Sequence, residues 1–265
     1  MTANRHRFYR VGGALLALLF LPAAKNGCGS KEANTTFTSP VQAVTTLLAH
    51  DDGSVEAEVV LVSTAVSQHK FIDDATNVQL RVPDGTLVPL SLSSSGHYTA
   101  DSSSNAALVY TPGSTYQFKF NLDNDAEAKR VAGGNFSAVT DAPDDQVSFS
   151  FTKKPAFAGD TSTVTWAPAG RYALITVTDS TGSVVYQNFD FKEPHFDGSK
   201  WARLKKGGSL DLGVDVFANA GTYNVRLCAV DKVSDFDKSL SADLGALSGF
   251  LIGRCAAQQT LDVTQ

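Results

Sequence analysis

The residues best suited to chemistry form one short cluster, Glu193-Pro194-His195-Phe196-Asp197. In an extended strand, Glu193, His195 and Asp197 would project from the same face, and carboxylate and imidazole groups together can bind a divalent metal ion. Pro194 instead favours a loop or an edge strand, because proline cannot donate a backbone hydrogen bond. We therefore interpret these side chains as facing water, and we predict no metal and no cofactor.

No catalytic motif accompanies this cluster. The sequence lacks a Gly-x-Ser-x-Gly elbow, a His-Glu-x-x-His helix, a P-loop and a dinucleotide fingerprint. Beyond the first 30 residues the histidines are His50, His69, His97 and His195, each beside turn-forming residues, so we expect them at the surface. We predict no catalytic residue. A hydrolase whose site is assembled from distant Asp, His and Trp residues stays open as an alternative.

Trp201 is the first candidate for contact with a ligand. It lies among Lys200, Arg203, Lys205 and Lys206, which form the main basic concentration after the N-terminal segment. An indole beside cations can stack on a sugar or meet an anionic head group. The alternative is a solvated connection between strands, with the indole against the edge of a sandwich.

Phe250 is the second candidate. It lies in an apolar stretch between two glycines, Gly249-Phe250-Leu251-Ile252-Gly253. The wider stretch from Asp231 to Arg254 also has leucines at helical spacing, namely Leu240, Leu244 and Leu247, and one interpretation is a short helix or hairpin that caps the open end of a hydrophobic core. The other is an exposed apolar loop that contacts a partner.

The composition indicates strands and turns. The chain has 265 residues with a single methionine, and its formal net charge of -5 gives no basic face of the kind that nucleic acid requires. Serine, threonine, valine and glycine are abundant, which is typical of β-structure. We therefore exclude nucleic acid as a partner and predict an all-β fold.

Alternating apolar and polar residues place the strands. Residues 41–48 and 55–65 are apolar-rich segments on either side of an Asp-Gly turn, and Tyr116, Phe118 and Phe120 share one face of a later strand. Turn signals recur every 8 to 12 residues, as in β-sandwiches. Because Lys153-Lys154-Pro155 interrupts the pattern, we predict two tandem antiparallel sandwich domains, residues 41–153 and 154–265.

The N-terminal segment predicts export. Three arginines precede an uncharged apolar run from Val11 to Leu21, followed by Pro22 and small residues. This is the architecture of a secretory leader, and the run is shorter than the roughly 20 residues that a membrane-spanning helix needs.

Cys28 follows this leader, between Gly27 and Gly29, and a polar tail continues to residue 40. In this respect the chain resembles the bacterial lipoproteins. The resemblance implies a signal peptide over residues 1–27, acylation of Cys28, a flexible lipid-anchored tether over residues 28–40, and attachment to a membrane. The glycine after the cysteine, where an aspartate would signal inner-membrane retention, implies the outer membrane. A soluble periplasmic or secreted form is the alternative.

Cys228 and Cys255 remain once Cys28 is set aside as the acylated residue. An even pair of cysteines in an oxidising compartment predicts a disulfide bond. In the chain-entropy model, closing this loop would stabilise the fold by about 3–4 kcal/mol. The alternative is a pair of buried free thiols.

The stretch Ala220-Gly221-Thr222-Tyr223-Asn224-Val225-Arg226-Leu227 resembles the penultimate strand of immunoglobulin-like, fibronectin type III and polycystic-kidney-disease domains. The resemblance implies an Ig-like sandwich in which Tyr223 makes a corner hydrogen bond and Tyr223, Val225 and Leu227 point inward. Tandem sandwich domains of the cadherin type also bind calcium at their junction, near which Asp141, Asp144 and Asp145 would lie.

These observations lead to one functional prediction and one alternative. The first is a non-catalytic envelope lipoprotein that acts in binding, adhesion or assembly, with an unknown protein or glycan partner. The second is a secreted carbohydrate-binding protein or hydrolase with a site built from distant residues. A pocket in which a histidine and a carboxylate converge would favour the enzyme.

Overall fold

The segments with alternating polarity form strands in the structure, a computed structural model that describes residues 41–63, 70–121, 135–189, 204–233 and 249–265. Within these ranges every regular element is a β-strand, which confirms the predicted all-β class. Numbered in chain order, the strands are β1 (Val41–Ala49), β2 (Val55–Ser63), β3 (Lys70–Phe71), β4 (Thr76–Arg81), β5 (Leu87–Pro89), β6 (Ser91–Ser94), β7 (His97–Asp101), β8 (Thr115–Asn121), β9 (Asn135–Asp141), β10 (Ser148–Lys153), β11 (Ser162–Ala167), β12 (Tyr172–Asp179), β13 (Val184–Gln187), β14 (Lys205–Lys206), β15 (Ser209–Leu212), β16 (Gly221–Val233), β17 (Gly249–Cys255) and β18 (Gln259–Val263).

The hairpins follow from local turn chemistry. Strands β1 and β2 pair antiparallel around the predicted Asp-Gly turn, where Gly53 has a φ of 85° that favours glycine. Strands β12 and β13 are joined by residues 180–183, with Gly182 at a φ of 83°. In that turn the Asp179 carboxylate accepts the backbone N–H groups of Thr181 and Ser183.

Three sheets organise the described strands. The large sheet has the order β13-β12-β16-β17-β1-β2-β7-β6, with β3, β14 and β18 paired alongside. The first small sheet has the order β5-β4-β8-β9, and the second small sheet has the order β10-β11-β15. Strands β17 and β1 are parallel, whereas their other neighbours in the large sheet are antiparallel.

Both small sheets pack on the same face of the large sheet, which we call the inner face. Alternate residues of a strand point to opposite faces, and the apolar clusters follow this rule. The first cluster joins Leu47 and Ile252 of the large sheet to Phe118 of the first small sheet. The second cluster joins Leu227 of the large sheet to Trp166 of the second small sheet. The molecule therefore contains two sandwiches that share one continuous sheet.

A third apolar cluster lies on the opposite, outer face of the large sheet. It is formed by neighbouring central strands, with Val44 from β1, Val230 from β16 and Leu251 from β17, and Phe189 and Leu204 pack against it. These side chains are buried, so both faces of the central strands carry apolar residues. This explains why residues 249–253 read as a continuous apolar run rather than an alternating one.

The division of the chain between the sandwiches differs from the predicted boundary after residue 153. Strand β10 precedes that boundary, yet it pairs with β11 and contributes Phe149 to the second cluster. Strand β17 follows the boundary, yet Phe250 and Ile252 belong to the first cluster. All the described residues fall in one compact unit. This arrangement depends on strand pairing between distant segments, which local sequence patterns do not predict.

Cys228 and Cys255 form a disulfide, as predicted, between directly opposed residues of β16 and β17. The corner hydrogen bond is also confirmed, because the Tyr223 hydroxyl donates to the carbonyl oxygen of Asn219 at 2.7 Å. Tyr223, Val225 and Leu227 all point into the second cluster, as the resemblance to Ig-like domains implies. None of the described residues forms a helix long and apolar enough to span a membrane.

Gly253 is required where β16 and β17 approach each other. A Cβ atom added at this position would lie 2.7 Å from the Cα of Val230 and would also collide with the carbonyl oxygen of Ala229. We expect Gly253→Ala to lower the free energy of unfolding by about 2–4 kcal/mol, because backbone atoms of a central strand cannot move aside. Urea unfolding followed by circular dichroism measures the effect. Gly213→Ala is the matched control, since open space surrounds its added Cβ. Equal stability of the two variants would contradict the prediction.

The disulfide closes a chain separation of 27 residues. We expect the double variant Cys228→Ala/Cys255→Ala to lose about 3 kcal/mol of unfolding free energy, because the unfolded chain regains its loop entropy. The measurement is the urea midpoint of the oxidised protein, the reduced protein and the double variant. The reduced protein should have the same urea midpoint as the double variant. Identical midpoints for all three samples would contradict the prediction.

Candidate functional site

A charged group lies on the outer face of the large sheet at the start of β2. We call it the Arg226 cluster, and it consists of Arg226, Glu56 and His50. The Arg226 guanidinium donates through Nη2 to Glu56 Oε1, and His50 Nε2 lies 3.3 Å from Glu56 Oε2. The same Nη2 lies 3.3 Å from His50 Nε2 and 3.9 Å from the Sγ of Cys255. The cluster thus connects β16 to the β1–β2 hairpin beside the disulfide.

Two opposing effects act on Glu56. Its partial burial disfavours the charged carboxylate, while the hydrogen bond to His50 and the positive charge of Arg226 favour it, and together the favourable contacts hold the pKa below its usual value of 4.5. Glu56 is therefore an anion at neutral pH, as a structural ion pair with Arg226 requires.

A second histidine and carboxylate meet one strand further along. His97 Nδ1 lies 2.6 Å from Glu58 Oε1, and the imidazole lies against the ring of Phe71 with a centroid separation of 5.3 Å. Strand β7 positions this histidine opposite Val60, next to Glu58 on β2. The predicted surface position of the histidines is therefore wrong for His97 and His50, whose side chains are 10% and 17% exposed.

The chemistry of these pairs is limited by their neighbours. A histidine activated by a carboxylate needs a nucleophile within hydrogen-bond distance of its second nitrogen. Within the described ranges, neither the His50 ring nor the His97 ring bonds to a serine, threonine or cysteine side chain. Both rings instead connect neighbouring strands of the large sheet.

Acidic residues at the junction of the two sandwiches are paired with an arginine. Arg171 donates to the carboxylates of Asp145 and Asp231, and Asp141 accepts a hydrogen bond of 2.5 Å from the Thr115 hydroxyl. Among the residues that the structure describes, no three His, Cys, Asp or Glu side chains lie together as metal ligands. Of the three aspartates for which the sequence suggested calcium, Asp145 is paired with Arg171 and Asp141 with the Thr115 hydroxyl.

Several residues that the sequence singled out lie outside the described ranges. They are Cys28, His69, Glu193, His195, Asp197 and Trp201. Their roles stay predictions.

Phe250 lies in the core. It belongs to strand β17, has no exposed surface, and packs edge-on against Phe118 with a centroid separation of 4.9 Å. The structure replaces the exposed-loop hypothesis for this residue, because the glycine-flanked apolar run pairs with β1 and β16 as a central strand. Residues 249–255 are a strand rather than a cap, while Leu240, Leu244 and Leu247, on which the capping hypothesis also rested, lie outside the described residues.

A small cavity of about 180 Å³ lies beside the Arg226 cluster. Its lining includes Thr46, Glu58 and Arg226 on one side and Gln187 on the other. Thr46 is 4% exposed, and within the described part of the chain its hydroxyl has no hydrogen-bond partner. This volume is below the roughly 300–1,000 Å³ of typical small-molecule sites.

A larger concave surface, which we call the Arg254 cleft, has a volume of about 440 Å³. It lies between the β1–β2 turn and the connection from β7 to β8, and its lining includes Val55, Leu108, Val109, Tyr110 and Arg254. Val109 is 48% exposed at this surface. The volume is within the range of small-molecule sites, and the lining combines apolar side chains with polar groups that include His50, Ser102 and Arg254.

Arg254 projects from β17 onto the inner face between the two sandwiches. Its neighbours on the adjacent strands are Ala49 and Ala229, whose small side chains leave room for the guanidinium. The guanidinium carbon lies 5.8 Å from the ring centroid of Tyr110. No acceptor among the described residues bonds to this guanidinium, whereas Arg171 and Arg226 are both paired with carboxylates.

Two tyrosines hold the wall of the Arg254 cleft. The Tyr110 hydroxyl donates to the carbonyl oxygen of Pro143 at 2.9 Å, and the Tyr116 hydroxyl donates to that of Val109 at 2.6 Å and accepts the N–H of Thr111. Burial raises the pKa of both Tyr110 and Tyr116, so both hydroxyls keep their protons and remain donors. The wall is therefore built before any ligand arrives.

Little in the sequence points to this cleft. Arg254 directly precedes Cys255, and Tyr110-Thr111-Pro112-Gly113 reads as the start of a turn, so neither position carried a motif. The two meet only because β17 pairs with β1. A basic residue in an otherwise apolar strand was the one available signal.

Comparisons with known proteins give fold-level likenesses at most. No protein-family model matches the sequence, and no similar chain is found among curated proteins. The structure is similar to the FN1–FN3 domains of chicken CNTN1, with 12% identity, 85% of this chain and 69% of that chain covered, and a TM-score of 0.25. It is also similar to native alpha-2-macroglobulin from Escherichia coli spanning domains MG0-NIE-MG1, with 11% identity, 81% and 71% coverage, and a TM-score of 0.24. Likenesses this distant carry no argument about the site.

The lowered pKa of Glu56 generates a prediction about pH. A carboxylate with a depressed pKa in the folded state stabilises the fold above its unfolded pKa, near 4.5, and this contribution is lost as the pH falls through the folded pKa. We expect Glu56→Gln to lower the unfolding free energy by about 0.5–1 kcal/mol at pH 7, since solvent screens a side chain that is 42% exposed. The difference should shrink toward zero below pH 4. Urea unfolding across pH 3–7 tests this, with Asp51→Asn as the control. A difference that grows on acidification would contradict the assignment.

Proposed function

We propose that the protein is a non-catalytic lipoprotein of the cell envelope, attached through Cys28 and acting as a binding or assembly module. The Arg254 cleft is the observation that carries the binding part of this proposal. It is concave, lined by both apolar and polar side chains, bounded by hydrogen-bonded tyrosines, and contains a guanidinium that no described carboxylate pairs. A surface with these properties is suited to a ligand.

The histidines support binding rather than hydrolysis. Convergence of a histidine with a carboxylate would favour an enzyme, and such convergence occurs at His50 with Glu56 and at His97 with Glu58. Each pair, however, connects strands of the large sheet, and Glu56 is already neutralised by Arg226. A general base serves catalysis when a nucleophile faces it, and the described neighbours of these rings supply none.

Attachment to a membrane rests on the sequence of the first 40 residues. The leader, the small residue before Cys28 and the polar tail resemble those of bacterial lipoproteins. A lipid anchor leaves the folded body in the aqueous envelope, where a disulfide persists. The Cys228–Cys255 bond supports this placement because it needs such a compartment. The outer membrane is the proposed site, since no aspartate follows Cys28.

The decisive experiment is mass spectrometry of the mature N-terminus. The full chain is expressed in a bacterium that processes lipoproteins, beside the variants Cys28→Ser and Ser30→Ala. We expect the wild type and Ser30→Ala to begin at an acylated Cys28 and to partition into detergent, because the thiol is the acceptor of the lipid. Cys28→Ser should lose both properties. A mature chain that begins unmodified at any other residue would refute the anchoring proposal.

A further inference from the structure

Arg254 differs from the other arginines of the large-sheet region in what surrounds it. Arg171 contacts two carboxylates and Arg226 contacts one, while Arg254 has only the ring of Tyr110 among the described residues. A partly buried guanidinium with unused donors is costly, because it gives up water without gaining acceptors. An acceptor that enters the cleft with a ligand would remove this cost.

The charge and geometry of the Arg254 guanidinium determine which kind of ligand group it can bind. A guanidinium is planar and permanently charged, and its donors match the two oxygens of a carboxylate. The Tyr110 ring lies on one side of the guanidinium, 5.8 Å from its carbon to the ring centroid, and an aromatic ring accepts no hydrogen bond of carboxylate strength, so the donors stay available to an incoming anion. The recognised group is therefore an oxyanion with two coplanar acceptors.

The apolar part of the cleft lining indicates the chemistry of the rest of the ligand, beyond its charged group. Val109 presents an apolar side chain that is 48% exposed at the opening, while Val55 and Leu108 behind it are buried. Burial of an apolar group against Val109 adds favourable free energy in proportion to the area covered. A purely polar anion would gain the charge contact alone.

Acidic residues next to lining residues in the sequence disfavour a ligand of high negative charge. Asp51 and Asp52 precede Gly53 of the cleft, and Asp101 precedes Ser102 of the cleft. These carboxylates are exposed, and they would repel a polyanion such as a phosphate polymer. A single carboxylate is repelled less than a polyanion, because the repulsion grows with the charge of the ligand.

We propose that the Arg254 cleft binds a singly charged organic carboxylate with an apolar body, whose carboxylate pairs with Arg254 and whose body packs on Val109. This inference rests on the proposed binding function and names its ligand class. The carboxylate belongs either to a free organic acid or to the C-terminus of a polypeptide, since both present the same chemistry.

The test uses matched acids and amides on the full chain, by isothermal titration calorimetry. The probes are 3-phenylpropionate and N-acetyl-Ala-Phe, each beside its uncharged amide. We expect both acids to bind, and each amide to bind at least about tenfold more weakly, because the amide loses the charge-assisted pair. Tighter binding of the dipeptide would identify a chain terminus as the source and tighter binding of phenylpropionate a free acid. Either order supports the proposal.

Two variants and one control assign the binding to the cleft. Arg254→Gln removes the cation and should weaken both acids at least about tenfold, while the exposed control Arg81→Gln should leave them unchanged. Val109→Glu places a carboxylate at the opening of the cleft and should weaken the acids while leaving the fold intact, because the position is 48% exposed. This second variant decides the question if Arg254→Gln fails to fold.

Two results would overturn the proposal. One is the absence of heat from either acid at millimolar concentration with a folded wild type, and the other is equal affinity in the wild type, Arg254→Gln and Val109→Glu. Neither result bears on the proposed lipid anchor at Cys28, which is tested by mass spectrometry of the mature N-terminus. Conversely, a chain without a lipid on Cys28 leaves the calorimetric result standing.

Discussion

The parallel pairing of β17 with β1 is the constraint on which the rest of the structure depends. It places a strand from the C-terminal end of the chain next to the first described strand, with Leu47 beside Ile252 and Ala49 beside Arg254. Parallel neighbours need a long connection between them. Here the two paired segments lie some 200 residues apart in sequence. Without it the large sheet would separate into two sheets between β1 and β17. Gly253 and the disulfide hold the same strand from its other side.

A continuous sheet has consequences for the two cores. The first and second small sheets pack on the same face of the large sheet. The inner face therefore has two apolar areas, one under each small sheet, with a gap between them. Polar side chains occupy that gap, namely Arg171 with Asp145 and Asp231, and Arg254 on Tyr110. Polar groups are stable there because the gap is only partly covered, so their charges keep some contact with water. The Arg254 cleft exists because two cores that share a sheet do not merge.

The outer face uses its polar groups differently. The Arg226 cluster and the His97–Glu58 pair lie at the margin of an apolar cluster and connect strands rather than surround a reacting atom. Their partners are mutually satisfied, which suits a rigid support. A site for chemistry needs groups left unsatisfied until a substrate arrives, and on the described surfaces Arg254 fits that description better than either histidine.

The all-β class, the hairpin turns and the disulfide between Cys228 and Cys255 could be predicted from period-two polarity, from glycine and aspartate at turns, and from the cysteine count, all of which are local or compositional. The corner bond of Tyr223 was implied by the resemblance of residues 220–227 to Ig-like domains. The fold was needed to show that Phe250 is core, that β10 joins the second sandwich, that His97 is buried and that Arg254 meets Tyr110. Each of these depends on which distant strands become neighbours. The residues of one strand do not specify its partner, because every strand offers the same backbone hydrogen-bonding groups to its neighbours.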